Sequence, residues 1–351
     1  MVSPLERFKD VYSGLRGWHC CGYGCLSIQS QLGRCGLYRC RVCSGRCSKW
    51  HLHRLFFGSI PCNRAVDIAI ELPPLDVRSL LRRHHLDPHK GLGQNFLIDH
   101  HALKQIVDFA SLSTEDTVLE IGAGLGSLTR LLAKSAKRVV AVEIDRKLVP
   151  VLCEVMSGFQ NTEIVQGDIL ELNPVDLMGK SDYVVVANIP YFITSAIIRH
   201  LLTSEVKPSR IVLTMQQEVA ERICAEPGDL SLLALSVQVF GAPRIGVSIP
   251  ASAFHPPPKV DSATLRVDIF KQPLLSGRQL DLFFTLAKIG FSQKRKMMRN
   301  TLSAGLHWTG MQADEMLLAA GIDPARRAQT LDLVEWKTLV GEYETWLARQ
   351  K

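Results

Sequence analysis

Short apolar runs rich in β-branched residues recur between about residues 117 and 215, and amphipathic stretches separate them. Runs of this length and composition are typical of buried strands. They lie at residues 117–121, 138–143, 163–167, 183–187 and 211–215. Helical spacing of apolar residues predicts helices at 101–110, 127–135 and 218–224. Strands that alternate with helices indicate a parallel sheet, so we predict a doubly wound α/β fold.

The pattern changes after Phe270, where polar stretches with helical apolar spacing dominate. One helix is predicted at 281–290, and a last helical stretch ends near Arg349. Before this change, the segments 230–240 and 264–269 are predicted to be extended or apolar core segments. We therefore predict an α/β domain over residues 76–271 and a small all-helical domain over residues 272–351.

The first 75 residues differ from the rest of the chain. They hold eight of the ten cysteines and ten Lys/Arg against four Asp/Glu, and they lack hydrophobic periodicity. After Met1 the next methionine is Met156. We therefore expect residues 1–75 to be a Cys-rich basic extension, either disordered or the product of a mis-assigned start. Two alternatives stay open: a zinc site around Cys40 and Cys43, and an organelle transit peptide.

Composition narrows the class of protein. With 46% hydrophobic and 21% charged residues, the chain has a globular composition. It contains no apolar run long enough for a transmembrane helix, so we predict no contact with a membrane. Residues 76–351 carry 31 Lys/Arg against 30 Asp/Glu, so any binding of nucleic acid must depend on local patches. Two scattered cysteines in this part suit a reducing cytoplasm, where we expect the protein to act.

The first predicted strand leads into a Gly-x-Gly-x-Gly turn made by Gly122, Gly124 and Gly126. Glycines at such a turn let the backbone approach a ligand. A dinucleotide site requires Gly-x-Gly-x-x-Gly, which this turn is not. Glu120 stands immediately before the turn. A carboxylate there disfavours a diphosphate and suits a cationic ligand such as the sulfonium and ammonium groups of S-adenosylmethionine.

Polar residues also follow the next three predicted strands. Glu143 ends one strand, where an acid can bind both ribose hydroxyls or simply be solvated. Asp168 follows the next, where it can accept a hydrogen bond from the exocyclic amine of the cofactor. The tetrad Asn188, Ile189, Pro190 and Tyr191 follows the fourth. The carboxyl ends of parallel strands meet at one edge of a sheet, so the pattern predicts an S-adenosylmethionine site there.

Two further segments carry candidate chemistry. The loop after Phe254 contains Pro256, Pro257 and Pro258, which hold an extended conformation. Such a loop can present Phe254 as an aromatic face, and the alternative is a stiff connector with Phe254 in the core.

A basic run follows in the predicted helical domain, with four cations in six positions. These are Lys294, Arg295, Lys296 and Arg299. A solvated helix face explains them equally simply, but beside a site directed at a nucleobase we favour contact with phosphates.

Together these residues resemble the KsgA-type ribosomal RNA adenine dimethyltransferases, over about residues 77–345. The motifs that carry the resemblance are Gly93-Gln94-Asn95-Phe96-Leu97, Glu120 to Gly126, Val142 to Asp145, Gly167-Asp168, the tetrad, Phe254 to Ser262 and Phe291 to Lys296. The cysteine-rich extension has no counterpart in the family pattern.

The resemblance implies a seven-strand methyltransferase fold with a C-terminal helical domain. It implies cofactor contacts by Asn95, Leu97, Gly122, Glu143, Asp168 and Asn188. It also implies dimethylation at N6 of two adjacent adenosines in the 3′-terminal hairpin of small-subunit ribosomal RNA. The expected substrate is the immature small subunit, and the expected state is a monomer.

The tetrad suggests how such a site works. The Asn188 side-chain oxygen and the Ile189 carbonyl would accept the two amine protons of the adenine, while Pro190 stiffens the loop. Tyr191 and Phe254 would sandwich the ring, each contact contributing about 1–3 kcal/mol. No metal ion is required, because the alkylated amine is acidic enough to lose its proton to water.

Three other functions remain compatible with parts of this pattern. The first is dimethylation of large-subunit ribosomal RNA, as in the macrolide-resistance relatives, which share the fold and the tetrad. The second is DNA adenine methylation, although those enzymes usually have two prolines where Ile189 and Pro190 stand. The third is a ribosome-assembly or transcription factor of the same fold without catalysis.

Overall fold

The computed structural model describes residues 72–180, 182–189, 193–275 and 277–350. Internal contacts divide the chain into Met1–Asp67 and Ile68–Lys351, and the described residues belong to the second unit. The cysteine-rich extension up to Glu71, including Cys40 and Cys43, lies outside the described residues.

Seven strands form the main sheet. They are β2 (Thr117–Ile121), β3 (Arg138–Glu143), β4 (Thr162–Gln166), β5 (Val184–Asn188), β6 (Arg210–Gln216), β7 (Gly241–Ile249) and β9 (Ser262–Ile269). Their spatial order is β4-β3-β2-β5-β6-β9-β7. The first five in this order pair in parallel, and β9 pairs antiparallel with both β6 and β7. The predicted α/β class is therefore confirmed. The strand order reverses between β2 and β5, which is the topological switch point of the sheet.

The parallel strands are joined by helices, as the sequence predicts. The described helices are α1 (Val77–Arg83), α2 (His100–Ala110), α3 (Ser127–Ser135), α4 (Val149–Val155), α5 (Pro174–Met178), α6 (Thr194–Thr203), α7 (Gln217–Ile223), α8 (Leu232–Gln238), α9 (Arg278–Gly290), α10 (Met298–Leu306), α11 (Gly310–Ala319) and α12 (Leu333–Arg349). Three elements, β2, β3 and α3, begin and end at the predicted residues.

Both faces of the central strands β2, β3, β5 and β6 are buried, and alternate side chains pack on opposite faces. Val118, Val139 and Val184 belong to a cluster that packs against helices α2 and α3. Their neighbours Leu119 and Val140 belong to the other cluster, on the opposite face. A strand buried on both faces reads as a continuous apolar run, which explains why the sequence pattern identified these strands.

The cluster on that opposite face continues into the C-terminal helices. It joins Leu213 of β6 to Phe283 of α9 and to Trp336 of α12, both fully buried. The Phe283 and Trp336 rings meet edge to face, with centroids 6.2 Å apart. The predicted boundary between residues 271 and 272 therefore crosses one continuous apolar core, and it stays a prediction.

A short antiparallel ribbon lies outside the main sheet. It pairs β1 (Phe96–Leu97) with β8 (Phe254–His255), in the register Phe96 opposite His255 and Leu97 opposite Phe254. The ribbon connects the segment before the first parallel strand to the proline-rich loop. It thereby brings Asn95 and Phe254 together, although they are far apart in sequence.

One segment matches only one of its two predicted states. Residues 230–240, predicted as extended or apolar core, contribute Ala234, Leu235 and Val237 to the buried core but form helix α8, at whose start the Ser231 side chain accepts a hydrogen bond from Ala234 N. Strand β7 was not predicted. It contains Pro243 and Gly246, which weaken a strand pattern, and its place depends on pairing with β9.

Candidate active site

A cleft of about 600 Å³, part of it open to solvent, lies at the carboxyl ends of the parallel strands. That is the edge where open α/β sheets bind ligands. The cleft brings together six of the residues that the sequence predicts for the site: Asn95, Gly122, Glu143, Asn188, Ile189 and Phe254. They come from the loop before β1, the ends of three parallel strands and the ribbon, so they meet only in the folded chain.

The glycine turn forms the floor of this cleft. Gly122 and Gly124 have φ values of 76° and 59°, in the left-handed region that favours glycine. A β-carbon on Gly124 would lie 3.3 Å from the Phe96 ring, and one on Gly122 would lie 3.4 Å from the Asn188 carbonyl oxygen. The backbone of the turn therefore faces the cleft directly, as the sequence predicts for a ligand-binding turn.

Glu143 holds the turn in place as well as lining the cleft. Its Oε2 accepts a hydrogen bond from Gly124 N at 2.7 Å, and its Oε1 accepts one from Asp145 N at 2.8 Å. Burial raises the pKa of the Glu143 carboxyl, and the two backbone N–H groups oppose that rise. Each oxygen keeps a further lone pair for a ribose hydroxyl.

Glu120 does not face the cleft, contrary to what the sequence suggested. It is 1% exposed and does not line the cleft. The pKa of its carboxyl is raised to about 8, chiefly by burial. The nearby Thr129 hydroxyl opposes this rise, and the charge of Glu143 adds to it. Neither Glu120 Oε2 nor Thr129 Oγ1 completes a hydrogen bond within the described residues. At neutral pH the free protein therefore holds Glu120 mainly as a neutral acid, so it offers no negative charge to a cation.

Asn188 ends β5 at the centre of the cleft, and its amide is oriented by the neighbouring loop. Its Nδ2 donates to the Asn95 carbonyl at 3.4 Å, and Asn95 Nδ2 donates in turn to the Gly93 carbonyl at 3.1 Å. In this orientation Asn188 Oδ1 receives no hydrogen bond from the described part of the chain. The side chain therefore presents an oxygen acceptor at the site.

The apolar wall of the cleft comes from Ile189 and Phe254. Ile189 is 3% exposed and Phe254 is 2% exposed. Phe254 belongs to the cluster of buried residues on one face of the sheet and also lines the cleft. Both interpretations of Phe254 thus describe part of what is found: its ring is core, and it borders the site.

The loop before β1 contributes a latch that sequence reasoning missed. Gln94 Nε2 donates to Asp145 Oδ2 at 2.8 Å, and Gln94 Oε1 accepts from His89 N at 2.7 Å. These bonds tie the loop to the end of β3. Ile144 and Leu148 line the cleft as well. Ile144 sits between Glu143 and Asp145 in the family motif, which was the available signal.

Four predicted site residues lie elsewhere or outside the described range. Leu97, in strand β1 of the ribbon, is 3% exposed, and its side chain packs in the core rather than lining the cleft. Asp168 follows β4, where its Oδ1 accepts a hydrogen bond from Leu170 N at 2.9 Å, and it also lies off the cleft lining. Pro190 and Tyr191 lie outside the described residues. Their roles remain predictions.

The basic run lies on the surface between α9 and α10. Lys294, Arg295 and Lys296 are exposed, and Lys294 and Lys296 border a polar cavity together with Arg222 of α7. Arg299 forms an ion pair with Asp314, with Nε 3.0 Å from Oδ1. Three of the four predicted cations are therefore unpaired in the described structure, and the fourth is partly neutralised.

Comparison with known proteins identifies the family. The family model for ribosomal RNA adenine dimethylases matches residues 86–339, which include every element from β1 to the start of α12. The chain belongs to this family. Ribosomal RNA adenine dimethylases are methyltransferases, so the protein is an enzyme with S-adenosylmethionine as its methyl donor.

Curated relatives cover most of this dimethylase. "Ribosomal RNA small subunit methyltransferase A" of Dehalococcoides mccartyi is 43% identical over 267 residues, which are 76% of this chain and 92% of the relative. The protein of the same name from Pelotomaculum thermopropionicum is 40% identical over 283 residues, covering 77% and 96%. These matches bear out the resemblance seen in the motifs.

Two solved structures of other methyltransferases share the fold. A dimethyladenosine transferase from Plasmodium falciparum is 27% identical with a TM-score of 0.63, covering 71% of this chain and 98% of that one. The 23S rRNA methyltransferase ErmE is 28% identical with a TM-score of 0.59, covering 71% and 100%. The fold alone thus does not separate the two ribosomal subunits as substrates.

The cleft of this dimethylase fits the cofactor. The side-chain-free turn at Gly122 and Gly124 leaves room for close approach, and the Glu143 carboxylate lies where ribose hydroxyls are bound. None of the helices described here has the length and apolar content to cross a bilayer. The described residues also contain no cluster of three or more His, Cys, Asp or Glu side chains placed to hold a metal ion.

Proposed function

We propose that the protein dimethylates N6 of two adjacent adenosines in the 3′-terminal hairpin of small-subunit ribosomal RNA. The observation that carries the chemistry is the Asn188 amide, which is oriented by the Asn95 carbonyl and presents Oδ1 at the cleft. The observation that favours the substrate is the name of the curated relatives, which are small-subunit enzymes at 40–43% identity.

The adenine amine needs help to react, because its lone pair is delocalised into the ring. S-adenosylmethionine, held beside Glu143 and the turn at Gly122, would supply a methyl group on a positively charged sulfur. Asn188 Oδ1 and the Ile189 carbonyl would accept the two N–H groups and favour a pyramidal nitrogen whose lone pair points at the bound cofactor, and the proton that N6 gives up would pass to water. These acceptors stabilise the transition state more than the flat ground state.

Water and misplaced bases are excluded by the apolar wall. Phe254 and Ile189 border the cleft, and we assign Tyr191 to the opposite side of the adenine ring. Each stacked aromatic contact contributes about 1–3 kcal/mol. The target adenosine must leave its stack to enter, as enzymes that modify bases require. Transfer between two held reactants is then mainly a matter of position.

Binding of the ribosomal RNA is assigned to the exposed basic run. Lys294, Arg295 and Lys296 have no ion-pair partner in the described structure and can neutralise phosphates. Arg299 joins them once its pair with Asp314 exchanges for a phosphate. We extend the proposal to the immature small subunit as the substrate particle, to a monomeric enzyme in the cytoplasm, and to a contribution to small-subunit biogenesis.

Transfer from tritiated S-adenosylmethionine to purified immature small subunits, compared with large subunits, tests this proposal. We expect label in the small subunit only. Label in the large subunit would instead support the activity that the ErmE structure is named for. Absence of label in both particles would favour a factor of the same fold without catalysis.

A further inference from the structure

A second cleft adjoins the active site and is lined by arginines and histidines that the catalytic proposal does not use. It contains about 820 Å³ of empty space, part of it open solvent, between α1, the turn that follows it, and the ribbon. Arg78, Arg82, His85 and His255 line it, together with Asp87. We propose that this basic cleft binds a phosphodiester of the ribosomal RNA strand beside the target adenosine.

The ribbon places the basic cleft next to the active site. His255 lines the basic cleft, whereas its chain neighbour Phe254 lines the active-site cleft. The strand partner of His255 in the ribbon is Phe96, which also lines the active-site cleft. The two clefts therefore share one wall. Because neighbouring strand residues lie only about 3.3 Å apart, a nucleotide whose base occupies one cleft has its own backbone within reach of the other.

The arginines are held on a rigid element. The apolar face of α1, formed by Val77, Leu80 and Leu81, packs into a buried cluster with Phe96 and Leu148. Leu148 itself lines the active-site cleft. Arg78 and Arg82 stand on the exposed side of the same helix. Their position relative to the active site is therefore set by packing rather than by a mobile loop.

The charge arrangement favours an anion. Arg78 and Arg82 are four residues apart on a helix, so they lie side by side, and like charges in this position destabilise a helix. In the part of the chain that the structure describes, neither forms an ion pair or a side-chain hydrogen bond, and Asp87 is the one carboxylate of the lining. A guanidinium fork matches the oxygen atoms of a phosphate, so an RNA phosphodiester relieves this repulsion.

Helix α1 also supplies a matched control. Arg83 follows Arg82 and is exposed as well, but it points away from the basic cleft and pairs with Glu154 at 3.5 Å. Replacing Arg83 removes the same kind of charge from the same helix. Because the double variant removes two charges and Arg83→Ala removes one, a loss of log K more than twice that of the control reports the cleft rather than the net charge.

The test compares the full-length protein with its Arg78→Ala/Arg82→Ala and Arg83→Ala variants. Binding to immature small subunits is measured over a series of salt concentrations, together with methyl transfer at saturating particle concentration. We expect the double variant to bind about 10-fold more weakly at low salt, with the slope of log K against log salt reduced by about 1. Its rate at saturation and its affinity for S-adenosylmethionine should match the wild type, and Arg83→Ala should bind as the wild type does.

The inference depends on the proposed function, and the two can fail separately. If the wild type methylates small subunits but the double variant and Arg83→Ala give parallel salt curves of equal affinity, the basic cleft binds no phosphodiester and the catalytic proposal stands. A wild type that transfers no methyl group to ribosomal RNA overturns both. Thermal unfolding of each variant checks that the fold is retained, since all three arginines are exposed.

Discussion

The site depends most on residues that orient other groups. Asn188 is held by a single long hydrogen bond to the Asn95 carbonyl, 3.4 Å, and is only half-buried. Its contribution to the stability of the fold is therefore small, whereas its oxygen is the acceptor on which the proposed chemistry depends. A substitution at Asn188 should separate activity from stability.

We expect Asn188→Ala to lower the rate of methyl transfer at least about 100-fold, the cost of losing one transition-state acceptor. The melting temperature should stay near that of the wild type. Asn161→Ala is the control, because Asn161 Nδ2 bonds the Ala133 and Ala136 carbonyls far from the cleft. That variant should lose stability and keep its turnover. A near-normal rate in Asn188→Ala would contradict the assigned role.

The raised pKa of Glu120 makes the free energy of unfolding depend on pH. Its pKa is raised by burial from 4.5 to about 8. Below the unfolded value the acid is protonated in both states, so burial carries no charge penalty. Between the two values the unfolded chain has released a proton that the folded chain retains, so stability falls as pH rises, by at most ~5 kcal/mol.

Glu120→Gln removes that titration while keeping the shape of the side chain. The free energy of unfolding of the wild type should fall from pH 5 to pH 8 relative to that of the variant. Denaturant unfolding of both proteins over this range measures the difference. Parallel curves would show that Glu120 stays charged in the folded protein.

At the level of secondary-structure elements, one side of the cleft forms where the loop before β1 meets the end of β3. The Gln94 side chain joins the loop before β1 to Asp145 after β3, at 2.8 Å. We expect Gln94→Ala to weaken binding of S-adenosylmethionine about 10-fold or more, the cost of losing one hydrogen bond to a charged group. Calorimetry measures this affinity. Gln279→Ala, which removes a similar bond to Glu344 in the helical part, should leave it unchanged. Equal affinities in all three proteins would mean that the latch does not order the cleft.

Elements that local pattern determines were predictable from sequence. Strands β2 and β3 are buried on both faces, so their continuous apolar runs identify them. By contrast, β7 has several exposed residues and becomes a strand by pairing with β9. Helix α8 is an apolar run that suits either state, and its Ser231 cap decides it.

The residues of the candidate site also fall into two groups, those that the local sequence pattern predicts and those that depend on contacts between distant segments. Residues at strand ends, such as Glu143 and Asn188, follow from the order of strands and loops. The burial of Glu120, the latch at Gln94 and the shared wall at His255 depend on contacts between distant segments. Single-sequence reasoning carries no information on such contacts, because many partners are compatible with each residue.

For the whole molecule, the affinity for ribosomal RNA must depend on local charge. Residues 76–351 are almost neutral overall, with 31 Lys/Arg against 30 Asp/Glu. The exposed basic run at 294–296 is one concentration of positive charge, on the helical part. The cleft beside the ribbon, lined by Arg78 and Arg82, is a second. An RNA substrate that contacts both is held by two separate groups of cations.

Replacing Lys294, Arg295 and Lys296 by alanine should weaken binding to immature small subunits. The slope of log K against log salt should fall by about 1 for each phosphate that the variant no longer neutralises. The matched control replaces Lys271, Arg278 and Lys337, three exposed cations outside the basic run, so that both variants lose the same net charge. Binding curves measured at several salt concentrations distinguish the two variants. An unchanged slope in the triple variant would mean that the run is a solvated surface.

We propose that this chain converts two adjacent adenosines of small-subunit ribosomal RNA into N6,N6-dimethyladenosine. Mass spectrometry of nuclease fragments, after reaction of immature small subunits with S-adenosylmethionine, locates the modified adenosines. We expect a single fragment, from the 3′-terminal hairpin, to gain dimethyladenosine at both neighbouring positions. Modified adenosine in another fragment, or in large-subunit RNA alone, would contradict it.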